Sequence, residues 1–177
     1  MSFDLDRHLE VLEQTPATLR ALLSGLSDEW TTGTEGPDTW SPYDVLGHLI
    51  HGENTDWMAR ADIILSDADD KTFAQFDRFA QFEESRGKTM ADLLHEFERL
   101  REANVARLRA LDLTDAHLDR TGTHPALGTV TLRQLLSTWT VHDLDHVVQI
   151  ARVMATQVGD NVGPWKQYIR VLRDPVG

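Results

Sequence analysis

Two histidines one helical turn apart, His142 and His146, are the residues of this chain best placed to do chemistry together. They lie in the stretch from Thr131 to Ile150, where Leu132, Leu135, Leu136, Trp139, Val147 and Ile150 fall at helical spacing. That spacing sets both imidazoles on the side of the apolar stripe, rising from neighbouring points of the helix, so both can reach one metal ion. Taken alone, a pair of half-buried core histidines, each satisfied by a hydrogen bond, is the slightly better reading. His48 changes the balance. It stands about two turns into another helical pattern, beside Leu49 and near Val45 and Gly52. Facing helices of a bundle can bring such inward side chains to a common point.

Three neutral imidazoles bind zinc, nickel or iron at roughly 2 Å and leave coordination positions open, the mark of a catalytic metal. An ion held in this way can take a water or a thiolate, lower its pKa and present it as a nucleophile at neutral pH. Each ligating ring should give its other N–H to an acceptor, and Glu53, Asp143 and Asp145 are the nearby candidates. Glu53, five residues from His48, points to a different flank and reads as a buried partner rather than a ligand. For the two aspartates, exposure to solvent is at least as good a reading. His51 is a second-choice ligand one turn beyond His48, while His8, His95 and His117 read as partly exposed surface residues. His124 precedes Pro125 in a loop, where a turn-stabilising hydrogen bond is the simplest role.

Composition narrows the functional classes. The 177 residues suit one domain, expected over 1–177, and no apolar run is long enough to cross a bilayer. The N-terminal residues lack the basic and apolar regions of a signal peptide, so a cytoplasmic location is expected. With no cysteine, disulfides, thiolate ligands and a cysteine nucleophile are excluded. A net charge of −12, with bases dispersed among acids as in Arg99-Leu-Arg-Glu and Arg107-Leu-Arg, argues against nucleic acid. Those basic stretches read as solvated helix faces.

Four helical patterns must position the histidines. Leu9, Leu12, Leu19, Leu22, Leu23 and Leu26 mark the first, over about 5–26, with Pro16 inside it and a kink expected there. Ser41-Pro42-Tyr43-Asp44 caps the second, which is expected to run to about Leu65. Phe73, Phe76, Phe79 and Phe82 form a stripe at spacings of three that reads as packing, with some rings free to wall a pocket. Thr89 with Asp92 starts the third, and Thr131 with Gln134 the fourth, after a loop holding Gly122 to Pro125 and Leu127 to Val130. A short amphipathic tail, Trp165 to Leu172, closes the pattern. An all-α four-helix bundle follows, with loop lengths too uneven to presume up-and-down wiring.

The chain resembles the DinB-like family of metalloenzymes, which are distinct from the DNA polymerase that shares the name. The resemblance rests on Trp40-Ser-Pro-Tyr-Asp-Val-Leu-Gly-His48-Leu-Ile-His-Gly-Glu53 and on Gly122-Thr-His-Pro-Ala-Leu-Gly128-Thr-Val-Thr-Leu. It rests most on Trp139-Thr-Val-His142-Asp-Leu-Asp-His146-Val-Val-Gln-Ile150, with Gly163-Pro-Trp165-Lys-Gln-Tyr168 following. It implies a DinB/YfiT-like four-helix bundle with a divalent metal held by three histidines, by motif His48, His142 and His146. It also implies a small-molecule substrate and a homodimer. Some members of the family activate a low-molecular-weight thiol such as bacillithiol or mycothiol, as S-transferases or isomerases.

Two classes of function remain. The leading one is a metal-dependent enzyme, either a thiol S-transferase or a hydrolase using metal-bound water, and the residues do not select between them. The other is a non-catalytic, stress-associated or small-ligand-binding bundle. Three histidines without a fourth protein ligand make a poor closed structural site, which disfavours a purely structural metal. Zincin chemistry needs His-Glu-x-x-His, and here Asp143 holds the second position. Di-iron bundles use Glu-x-x-His, which Asp92-Leu-Leu-His95 and Asp143-Leu-Asp-His146 imitate only with aspartate.

Overall fold

Four long helical stretches carry the architecture, and each begins where the chain supplies a side-chain cap. The computed structural model describes residues 3–172; Met1, Ser2 and residues 173–177, the ends of the expected domain, lie outside the described residues. Helix α1, Leu5–Leu23, starts at Asp4, whose carboxylate accepts from the Arg7 backbone N–H. It runs through Pro16 without ending. Proline has no N–H, so the Leu12 carbonyl one turn back loses its helical donor. The Arg101 guanidinium supplies a replacement, with Nη1 donating to Leu12 O at 2.9 Å.

After a short α2, Asp28–Thr32, the capping box of Ser41 and Asp44 opens α3, Pro42–Thr55. The expected single helix to Leu65 is instead two, with α4, Trp57–Leu65, following a break at Asp56. Asp56 is distorted from ideal helical values (φ −111°, ψ −73°). The break lets Trp57 fold back over Gly52, where a Cβ would come within 3.2 Å of the indole nitrogen, and stack on Trp139 at 5.7 Å. The phenylalanine stripe is not one face of a helix, because most of its segment is irregular before the short α5, Ala80–Glu84. Phe73 joins the core and Phe76 lines a cleft, whereas Phe79 and Phe82 are exposed.

Helix α6, Met90–Ala110, begins at the Thr89–Asp92 capping box, and a short α7, Asp115–Leu118, follows. The expected loop after it contains an antiparallel hairpin, β1 Thr121–His124 and β2 Gly128–Thr131. Its first strand also exchanges hydrogen bonds with Lys71 and Phe73, a pairing across some fifty residues of chain that local pattern does not announce. Helix α8, Leu132–Gln157, starts at the Thr131–Gln134 capping box. The short tail is built of 3-10 turns, interrupted by Gly163 in the left-handed region (φ 60°) ahead of Pro164. Trp165 and Tyr168 accordingly stand exposed. No described helix is long and apolar enough to cross a membrane.

The extensive helix contacts run from α1 to α6, α6 to α3, α3 to α8 and α8 back to α1. The first two long helices therefore lie diagonally opposite each other, as do the last two, which is not up-and-down wiring. Two apolar clusters fill the interior. One gathers Leu12, Trp57, Val105 and Trp139, the other Leu19, Leu49, Phe97 and Ile150.

Between the clusters lies a polar layer centred on Arg101, which is 1% exposed and not on a solvated face. Its guanidinium donates to Glu53 Oε1 of α3 (2.8 and 3.1 Å), to both oxygens of Asp143 on α8, and to Leu12 O on α1. Glu53 also accepts from Trp139 Nε1 (3.1 Å) and Asn104 Nδ2 (3.0 Å). Asp143 is fully buried, which corrects the reading that would send it to solvent. Burial works against the charged form of Arg101, but the carboxylates of Asp143 and Glu53 outweigh it and hold the guanidinium above its ordinary pKa. Replacing Arg101 by Met would leave two buried carboxylates without a counter-charge. Urea unfolding should show a loss of about 3–5 kcal/mol; a loss under about 1 kcal/mol, the value of a surface pair, would refute this role.

Candidate metal centre

The polar layer fixes α3 against α8, and the same two helices carry the three histidines. On α8, residues 142 and 143 are adjacent, so their side chains diverge by roughly 100°. Asp143 turns into the bundle, and His142 with His146 turns toward α3. His48 meets them from the second turn of α3. The Nε2 atoms of His48 and His142 lie 3.1 Å apart, and those of His142 and His146 3.0 Å apart. One nitrogen from each ring falls within 4.8 Å of the others. Ligand nitrogens sit roughly 2 Å from a divalent transition-metal ion, so nitrogens at such separations can share one.

The rings are held by their surroundings. Trp40 packs on His48 at 4.9 Å between centroids, Phe76 meets it edge-on at 5.4 Å, and Trp57 does the same to His142 at 5.0 Å. His146 Nδ1 donates to Gln149 Oε1 at 2.7 Å, which leaves its Nε2 lone pair facing the cluster. The expected acceptors do not serve: Glu53 and Asp143 belong to the Arg101 layer, and Asp145 is exposed. Nδ1 of His48 and of His142 is buried without a partner among the described residues.

Burial, with the neighbouring His146, pushes both His48 and His142 down to about 3. His146 is also held below its ordinary value by burial, against the opposing pull of Gln149, Asp145 and Asp143. The cluster is therefore three neutral imidazoles at pH 7, the protonation state a metal requires. In the metal-free chain, however, three lone-pair-bearing nitrogens converge on one point. With the His146 proton on Nδ1, one N–H···N bond at most can relieve that crowding, whereas a cation relieves all of it. These residues fit a divalent ion.

The cluster stands in a wall between two clefts, and His48 borders both. One, of about 290 Å³, is mostly apolar, walled by Trp57, Phe73, Phe76, Val130 and Leu135, with His142 at its side. The other, of about 550 Å³, is more polar than the first and bounded by Trp40, Arg78, Gln149, Arg152 and His146.

The remaining histidines lie elsewhere. His51 is buried but turns away, its Nδ1 paired with Glu84 Oε2 at 2.9 Å. His8 bonds Thr140 Oγ1, His95 is exposed, and His117 accepts from the Thr114 N–H that begins α7. His124 Nδ1 accepts from the backbone N–H groups of Ala126 and Leu127, tightening the hairpin turn. Gln149, Arg101 and Asn104 were not among the residues read as functional from the sequence. Gln149 sits three residues after His146, a same-face spacing that could have pointed to it.

No curated protein matches the chain. A solved structure of YfiT from Bacillus subtilis, described as a probable metal-dependent hydrolase with an unusual four-helix bundle topology, superposes with a TM-score of 0.73 at 21% identity. The match covers 88% of this chain and 87% of that one. The family model of the DinB superfamily matches residues 11–150, a span that contains most of the bundle, the Arg101 layer and all three converging histidines. The chain belongs to the DinB superfamily.

Proposed function

We propose that this protein is a divalent-metal-dependent enzyme of hydrolytic type acting on a small molecule, with His48, His142 and His146 as its metal ligands. The observation that carries this reading is the convergence of three neutral imidazoles, with His142 Nε2 3.1 and 3.0 Å from those of His48 and His146, beside an apolar cleft. Family membership supports the metal, and the description of YfiT as a probable metal-dependent hydrolase supports the reaction type. A bound divalent ion would supply Lewis acidity, polarising a substrate carbonyl or acidifying a water or thiol.

The chain's own residues supply the rest. Gln149 holds the His146 tautomer that leaves Nε2 free. Trp40, Phe76 and Trp57 pack on the imidazoles and shield them from water, which keeps them neutral. Arg101 sets the relation of α3 to α8 and with it the distance from His48 to the other two. Transfer to a low-molecular-weight thiol of the bacillithiol or mycothiol type is the neighbouring reaction the same centre would suit. A homodimer belongs to the proposal as well, for which α8 offers an outward apolar stripe of Val141, Leu144 and Val148.

Elemental analysis of untagged protein should find about one equivalent of zinc, nickel or iron per chain, and His146→Ala should lose it. Ester and thiol-transfer substrates then separate the two reactions. No metal after reconstitution with each ion would sink the enzyme reading and leave a small-ligand-binding bundle. Acid gives a second test, on metal-free protein. His48 and His142 titrate near 3 when folded, far below an ordinary histidine, so between those values the unfolded chain binds more protons. Stability should fall as pH drops from about 6.5 toward 3, and His142→Phe should flatten that slope. An unchanged slope would show that the histidines are not buried as neutral rings.

A further inference from the structure

The apolar cleft beside the histidines contains a cation whose surroundings leave it half used. Arg60, on α4, has a side chain only 11% exposed and stacks over the Phe73 ring at 5.3 Å. Its Nε pairs with Asp56, one turn earlier, where the helix breaks. Among the described residues, neither Nη group has a protein acceptor. Both Arg60 and Asp56 border the cleft, as do His48 and His142.

A second donor faces the same space. His124 borders the cleft from the hairpin, and its Nδ1 is committed as acceptor to two backbone N–H groups. The ring proton must then reside on Nε2, which has no acceptor among the described residues. Partial burial, with the charge of Arg60 adding to it, holds His124 below its ordinary value, so it is a neutral donor at pH 7.

We propose that this cleft selects substrates with an apolar body, aryl or branched alkyl, that end in a single carboxylate received by Arg60 and His124. A guanidinium edge presents paired N–H donors in the geometry of a carboxylate. The apolar walls lower the local dielectric and strengthen that contact. Asp56 sets the charge limit. It offsets Arg60 enough to disfavour a dianion such as a phosphate monoester, and a cationic ligand would meet the guanidinium. Arg60 is thus a specificity-determining residue that touches the far end of the substrate. The assignment of a substrate class rests on the reading of the histidine cluster as the reacting centre, but the recognition of the carboxylate does not need the metal.

The test is binding to chelator-treated full-length protein, followed by the Trp57 indole N–H resonance, with 3-phenylpropionate and 3-phenylpropionamide as probes. The acid should bind about tenfold more tightly than the amide, as expected for one charge-assisted contact. Arg60→Gln should abolish the preference, Arg60→Lys should keep part of it, and His124→Phe should reduce it. Because Arg60→Gln strands Asp56, the Asp56→Asn/Arg60→Gln double variant serves as a folded control and should also lack the preference. Equal binding of acid and amide, no binding of either, or a preference that survives Arg60→Gln would each overturn the proposal. Since metal is absent throughout, a failed metal-content test and a failed binding test are separate results.

Discussion

One guanidinium ties the bundle together. Arg101 projects from α6 into a layer where α3 contributes Glu53, α8 contributes Asp143 and α1 contributes the carbonyl that Pro16 leaves without a donor. Above and below this layer the packing is apolar. Leu, Phe and Trp contacts tolerate sliding of one helix along another, because dispersion and burial are weakly directional. Hydrogen bonds to a fork of fixed geometry are not so tolerant. The polar layer therefore specifies register, at the expense of desolvating three charges, and it does so for helices wired with an unusual diagonal order.

That constraint reaches the histidines through the shortest possible path. Asp143 and His142 are neighbours in the chain, while Glu53 and His48 lie on different flanks of one helix. When Arg101 holds the two carboxylates, His142 Nε2 is brought to 3.1 Å from that of His48 and 3.0 Å from that of His146. A shift of one helical turn, about 5.4 Å, would separate them beyond the reach of a common ion. The polar layer and the histidine cluster are consequences of the same helix faces. Aromatic rings then finish the environment, keeping the imidazoles neutral, with a mostly apolar cleft on one side and a more polar one on the other.

Much of this was legible in the chain. Apolar periodicity marked the four long helices, and the capping sequences at Ser41, Thr89 and Thr131 marked their starts, because caps and periodicity are satisfied within a few residues. The i, i+4 spacing of His142 and His146 and the inward position of His48 named the residues the fold brings together. The departures have a common physical cause. Arg101 and Asp143 looked like solvated charges, since a charged residue is usually exposed and its buried partners lie 42 to 48 residues away or more. The β-hairpin looked like a loop because its edge partner, Lys71 to Phe73, is remote in sequence.

Taken by itself, the sequence determined the helical class, the helix starts and the three imidazoles, all of which depend on side-chain type and local spacing. Only the tertiary structure decided the diagonal order of the helices, the break at Asp56, the committed tautomers of His124 and His146, and the placing of Arg60 in an apolar cleft. Each of these depends on which distant group lies within about 3 Å, the range over which a hydrogen bond forms. Periodicity along one chain carries no record of that distance.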